Sequence, residues 1–114
     1  MNEISHLDHE ALSELQEVME DEFEILISTF LQDSSERIQH LHQALESEAA
    51  DDFSKAAHSL KGSSINIGAT VLGERCKVAE NAGRAGQLSP DQVVAIEEEF
   101  TLVEAQLKAY LKHH

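Results

Sequence analysis

Apolar residues recur at steps of three and four along most of this chain, which is the spacing of one face of an α-helix. The longest apolar stripe runs from Phe23 to Leu45, and another runs from Val93 to Leu111. The sequence contains no Asn-Gly or Asp-Gly hairpin signal and no alternating strand pattern. The pattern therefore predicts an all-α protein.

Capping residues and glycines divide the stripes into helices, and the predicted helices are residues 8–19, 23–45, 51–67, 70–85 and 90–111. Asp8 is a good N-cap, and Ser89 to Gln92 form a capping box with proline at the first helical position. Gly68 and Gly86 stop the third and fourth helices. Four amphipathic helices with short loops predict an antiparallel up-down-up-down four-helix bundle, to which the short N-terminal helix is added. We expect a single domain over residues 1–114, with the bundle core at about residues 20–111.

The charge of the chain is unevenly distributed. Of the formal net charge of −14, residues 1–54 carry 15 acids and one base, whereas residues 55–84 carry five bases and two acids. An acidic surface disfavours nucleic acid and anionic membranes as partners. The sequence has no apolar run long enough to span a membrane and no secretory signal, and Cys76 is its only cysteine. A monomeric cytoplasmic protein is the expectation.

The third predicted helix places a histidine on its outer face. Its predicted core face consists of Phe53, Ala56, Ala57, Leu60, Ser64 and Ile67. At 100° per residue, His58 lies about 150° from the centre of this face and is therefore expected to point at solvent. Gly62 and Ile65 follow one and two turns later on the same line, and Lys61 flanks it.

These neighbours suit a reactive imidazole. A glycine inside a helix costs about 0.5–1 kcal/mol relative to alanine, and at Gly62 it removes the side chain that would crowd His58. An accessible imidazole can act as a nucleophile near neutral pH. Lys61 could neutralise part of the charge of a phosphoryl group, and Ile65 would give a docking partner an apolar contact. The alternative is that these four are unrelated surface residues.

The segment His58-Ser59-Leu60-Lys61-Gly62-Ser63-Ser64, followed by Ile67-Gly68-Ala69, resembles the signature of histidine-containing phosphotransfer (HPt) domains. At the level of helix order the resemblance covers roughly residues 20–110. It implies a helical bundle and a phosphorelay function. His58 would accept a phosphoryl group from a receiver-domain aspartate and pass it to the aspartate of a response regulator. Lys61 would lie beside the phosphate, and Gly62 would leave room for the receiver.

One position departs from the family pattern. On the following helix the family often has glutamine or a similar residue, and here we align Glu80. A carboxylate could orient the imidazole, but it would repel a phosphoryl group. We expect Glu80 and Ser63 to be supporting residues of the site. We expect Ile65 and Lys55 to contact a docking partner.

The partners implied by the resemblance are receiver domains of a hybrid sensor histidine kinase and of a response regulator, with Mg²⁺ expected on the receiver. The chain itself shows no nucleotide-binding loop and no metal-ligand pattern among its seven histidines, so we expect a phosphoryl carrier without a cofactor rather than an enzyme. His113 and His114 have the pattern of a purification tag and are set aside. Met1 suggests a free-standing protein, with excision from a larger hybrid kinase as the alternative. The competing function is a non-catalytic acidic helical adaptor that binds a partner through the face around Ile65.

Overall fold

Five α-helices and one 3-10 turn make up residues 6–113, the part of the chain that the computed structural model describes. The elements are α1 (His9–Met19), the 3-10 turn (Glu20–Glu22), α2 (Phe23–Glu46), α3 (Ala50–Asn66), α4 (Thr70–Arg84) and α5 (Pro90–His113). No strand occurs within residues 6–113. The predicted all-α class is confirmed, and the predicted ends of the helices lie within one or two residues of those observed.

Local capping and glycine conformation explain three of the helix ends. The Asp8 carboxylate accepts a hydrogen bond from a backbone N–H of the first turn of α1 at 3.1 Å. At the other end of the bundle, the Ser89 hydroxyl accepts from the Asp91 N–H, and the Gln92 side chain accepts from the Ser89 N–H, both at 3.2 Å. Gly68 ends α3 with a φ of +86°, a conformation in which glycine carries no Cβ penalty.

The four longer helices enclose one apolar core. Helix α2 packs against α3 and α5, α4 packs against the same two helices, and α1 lies on α2. All six residues of the predicted core face of α3 are buried. On α4, Leu72, Cys76 and Ala79 are buried, and so are Glu80 and Gly83, whereas Ala82 is only half-buried. An inward-facing glutamate breaks the apolar pattern of α4, so periodicity alone does not place Glu80 in the interior.

Glycines let α3 and α4 approach closely. A Cβ atom at Gly83 would lie 2.9 Å from the backbone nitrogen of Ser54, and one at Gly73 would lie 3.2 Å from Cγ1 of Ile65. Ser54 thus faces Gly83 near one end of the pair, and Ile65 faces Gly73 near the other. The two helices therefore run antiparallel, and residue 58 of α3 falls level with residues 79 and 80 of α4.

Along the described residues, no helix combines the length and the apolar character that crossing a lipid bilayer requires. Met1, His114 and the side chain of His113 lie outside the described residues, and so do the predictions that concern them.

The contact between Gly83 and Ser54 generates a prediction about stability. Gly83→Ala should lower the free energy of unfolding by about 1–2 kcal/mol, because overpacking costs about 1–3 kcal/mol and better helix propensity returns less than 1. Gly62→Ala is the matched control, since its added Cβ would meet no other element of the described structure within 4 Å, and it should be neutral or slightly stabilising. Urea unfolding measures both variants. A Gly83→Ala protein as stable as Gly62→Ala would contradict the close approach of the helices.

Candidate functional site

The imidazole of His58 is accessible and is held through Nδ1. Its side chain is 63% exposed, as the helical position predicts, and its Nδ1 lies 2.8 Å from Oε2 of Glu80 on α4. An ionised carboxylate can only accept hydrogen bonds, so Nδ1 carries the proton in this contact. In the neutral ring the lone pair then resides on Nε2, which is the nucleophilic atom of that tautomer.

Glu80 is a buried carboxylate with three donors. It is 2% exposed and accepts from His58 and Arg84 on Oε2, each at 2.8 Å, and from Lys61 on Oε1 at 2.7 Å. The hydrogen bond from Lys61 is the main cause that holds the pKa of Glu80 below its usual value, and the bond from His58 acts in the same direction, whereas burial opposes both. The expected repulsion of a phosphoryl group is therefore offset, because two permanent cations compensate this carboxylate.

Lys61 lies beside His58 but is already engaged. Its ammonium group contacts the buried Glu80, and its side chain is 25% exposed. The sequence suggested that Lys61 could meet an incoming anion directly. In the structure this ammonium contacts Glu80 instead. The carboxylate comes from helix α4, so the sequence of α3 alone does not predict the contact.

The open flank of His58 lies over Gly62. Among the described residues, and apart from the backbone of α3 itself and the two chain neighbours, no atom comes within 4 Å of the place where a Cβ at Gly62 would be. Ile65 is 59% exposed on the same face, and part of its side chain rests on Gly73. This face therefore offers free space and an apolar side chain to an approaching molecule.

The other predicted residues occupy more ordinary positions. The Ser63 hydroxyl donates to the backbone carbonyl of Ser59 at 3.2 Å, so it is used within its own helix. Lys55 is exposed and pairs with Asp51 one turn away at 3.0 Å, and this pair raises the pKa of Lys55. The structure does not bring Ser63 or Lys55 into contact with the imidazole through any hydrogen bond.

The comparison with protein families decides what the chain is. The family model described as "Hpt domain" matches residues 25–111, which is most of the chain and includes both helices of the site. The chain belongs to the Hpt family. The matched range contains His58 on α3 and Glu80 on α4.

A solved structure agrees with the family assignment. The crystal structure of histidine-containing phosphotransfer protein B (HptB) from Pseudomonas aeruginosa PAO1 matches with a TM-score of 0.93 and 40% sequence identity, over 98% of this chain and 99% of that one. The search of curated protein sequences returns no match. Membership of the Hpt family, together with the match to HptB, supports a phosphotransfer role in a phosphorelay and interaction with receiver domains.

Arg84 is the residue of this Hpt domain that the sequence analysis missed. It lies four positions after Glu80 on α4, an orientation in which glutamate and arginine side chains meet on a helix surface. That spacing was the available signal. It becomes informative only when Glu80 is known to be buried beside His58.

Cys76 is buried, and burial is the main cause that raises the pKa of its thiol to about 12, so the reactive thiolate is suppressed. Among residues 6–112, whose side chains are described, no group of three or more histidine, cysteine, aspartate or glutamate side chains is placed to hold a metal ion.

Glu80 should link stability to pH. Glu80→Gln should cost about 1–2 kcal/mol at neutral pH, because a buried charged acceptor is lost while His58 and Arg84 stay open to solvent. The pKa of Glu80 is lower in the folded protein than its usual 4.5, so the unfolded chain takes up the proton first as the pH falls. The stabilisation is thus present above pH 4.5 and is lost as the pH falls through the folded-state pKa.

Urea unfolding at a series of pH values tests this, and the gap between the wild type and Glu80→Gln should close in acid. Glu97→Gln is the control, since Glu97 also faces a histidine, His42, at 2.9 Å but is partly exposed. Its cost at neutral pH should stay within about 0.5 kcal/mol. A gap for Glu80→Gln that does not depend on pH would contradict the assigned charge state.

Proposed function

We propose that this Hpt protein is a phosphorelay intermediate in which His58 accepts a phosphoryl group from an aspartate of one receiver domain and passes it to an aspartate of another. The observation that carries this proposal is the one-sided restraint of the imidazole. Glu80 occupies Nδ1, while most of the ring remains open to solvent. The domains of a hybrid sensor histidine kinase and of a response regulator are the proposed donor and acceptor.

The proposed transfer uses the lone pair on Nε2. This nitrogen attacks the phosphorus of the aspartyl phosphate, the N–P bond forms, and the P–O bond to the aspartate breaks, so that a carboxylate leaves. The ring becomes more positive during the attack, and the ionised Glu80 opposite Nδ1 stabilises that charge. Return transfer to a second aspartate reverses each change. The Mg²⁺ that this chemistry needs would be supplied by the receiver.

The surface around His58 suits a receiver that must come close. The receiver has to place its aspartate in line with the ring nitrogen, and the space over Gly62 permits that approach. Ile65 and Lys55, both exposed, are the proposed docking contacts. We further propose that the chain acts as a cytoplasmic monomer and has no catalytic activity apart from its partners.

The alternative of an acidic adaptor also uses the exposed Ile65. It explains an apolar contact on this face, but it gives no role to a buried carboxylate that fixes the tautomer of the neighbouring histidine. The two functions differ in one chemical property: a phosphohistidine is lost in acid, whereas a binding-only adaptor carries no acid-labile label.

Removal of the imidazole tests the proposed function. His58→Gln should abolish labelling by a phosphorylated receiver domain and leave the helical circular dichroism unchanged, because His58 is exposed and packs in no core. The matched control is His42→Gln, which removes another exposed histidine that faces a glutamate. The control should still accept an acid-labile phosphoryl group. Full labelling of His58→Gln would refute the assignment.

The space over Gly62 is tested by filling it. Gly62→Gln should slow phosphoryl acceptance about tenfold or more, since a displacement near 1 Å is enough to disturb an in-line reaction. Gly62→Ala restricts the backbone similarly but adds only one carbon, and it should retain most of the rate. Stopped reactions with a phosphorylated receiver give the rates, and thermal melting checks the fold. Equal rates for Gly62→Gln and the wild type would remove the steric argument.

A further inference from the structure

The two permanent cations on Glu80 are held very differently. Lys61 contacts Oε1 alone and is three-quarters buried, whereas Arg84 shares Oε2 with His58 and is 66% exposed. Loss of the Arg84 contact would leave Glu80 with two donors, one of them a full positive charge. Arg84 is therefore the cation that can leave at little cost.

Arg84 also lines a cleft that opens beside the imidazole. This cleft between α3 and α4 has a volume of about 630 Å³, and its lining includes His58, Glu80, Gly83, Arg84 and Lys55. Gly83, which carries no side chain, lies against Ser54 in this cleft. His58 and Arg84 therefore border the same cleft and contact the same oxygen of Glu80.

We propose that Arg84 changes its partner when His58 is phosphorylated. Its guanidinium leaves the Glu80 carboxylate and binds the phosphoryl oxygens, while Lys61 remains on Glu80. This inference rests on the proposed function. A phosphoryl group brings about 1.5 to 2 negative charges and three acceptor oxygens, and a guanidinium can donate to two of them at once. Arg84 makes one hydrogen bond to Glu80, so its guanidinium would gain a second hydrogen-bond acceptor when it moves to the phosphoryl group.

The exchange also accounts for a carboxylate so close to a phosphorylated histidine. With Lys61 retained, Glu80 stays compensated and keeps its contact with Nδ1. With Arg84 transferred, the phosphoryl group gains a counter-charge of its own. Each negative group then has one permanent cation, and neither is left unpaired.

The test is the equilibrium division of label between a phosphorylated receiver domain and this protein. Arg84→Ala should shift the division away from His58 roughly threefold to tenfold, the size expected for a charge-assisted contact at a partly open surface. Arg84→Lys keeps the positive charge but lacks the two-donor geometry of the guanidinium, and it should restore part of the label on His58. Arg75→Ala removes the same charge from another exposed position of α4 and should leave the division unchanged.

A second arm separates contact with the phosphoryl group from an effect through Glu80. In a Glu80→Gln background, Arg84 has no carboxylate to compensate, so the shift caused by Arg84→Ala should persist if Arg84 touches the phosphoryl group. Disappearance of the shift in that background would overturn the proposal, because Arg84 would then act only by positioning Glu80. Thermal melting of each variant verifies the fold.

Nitrogen NMR of the intact chain gives a direct readout. Phosphorylation should move the side-chain resonances of Arg84 and leave the Lys61 ammonium little changed, whereas the opposite result would assign the phosphoryl contact to Lys61 and overturn the exchange. The two proposals fail separately. Normal division of label in Arg84→Ala, with no label on His58→Gln, rejects the exchange alone. Full labelling of His58→Gln rejects both.

Discussion

A buried carboxylate is tolerated inside a protein only when charged or polar donors surround it, and Glu80 meets this condition with three donors from two helices. His58 and Lys61 come from α3, and Arg84 comes from α4 itself. The same contacts that make the burial possible also fix the tautomer of the exposed histidine. The chemistry of the site therefore depends on the register of α3 against α4, because a shift of either helix would remove hydrogen-bond donors from the carboxylate.

The glycines of the two central helices divide into two kinds according to what surrounds them. Gly73 and Gly83 lie where the helices touch, and the missing side chains let Glu80 reach across to α3. Gly62 lies on the outside of the pair, where its missing side chain leaves space that no other described element fills. Glycine inside a helix weakens it in both cases. The cost is offset by packing at the first two positions, whereas at Gly62 no neighbouring element among the described residues offsets it. The proposed approach of a receiver gives this glycine a role.

The sequence was sufficient for features that depend on one helix at a time. Helix ends followed from Asp8, Gly68 and the Ser89 capping box, and the exposure of His58 followed from its angle relative to the core face of α3. Features that depend on the pairing of two helices were not accessible in this way. The partner of Lys61 and the compensation of Glu80 require the register of α3 against α4, and this register is set by close contacts such as Gly83 with Ser54 that periodicity does not reveal.

The charge of the surface around His58 also depends on how helices pair, and the structure changes what the sequence predicts for it. The sequence places five bases and two acids in residues 55–84, which suggests a positive patch around His58. In the structure Lys61 and Arg84 both face Glu80, and Lys55 faces Asp51, so much of this positive charge is balanced locally. A strong standing field would favour tight and long-lived association with any acidic surface. In the proposed relay, the protein has to release each receiver after transfer. Cations that are already paired would favour this release, since a counter-charge would become available only when a phosphoryl group competes for it.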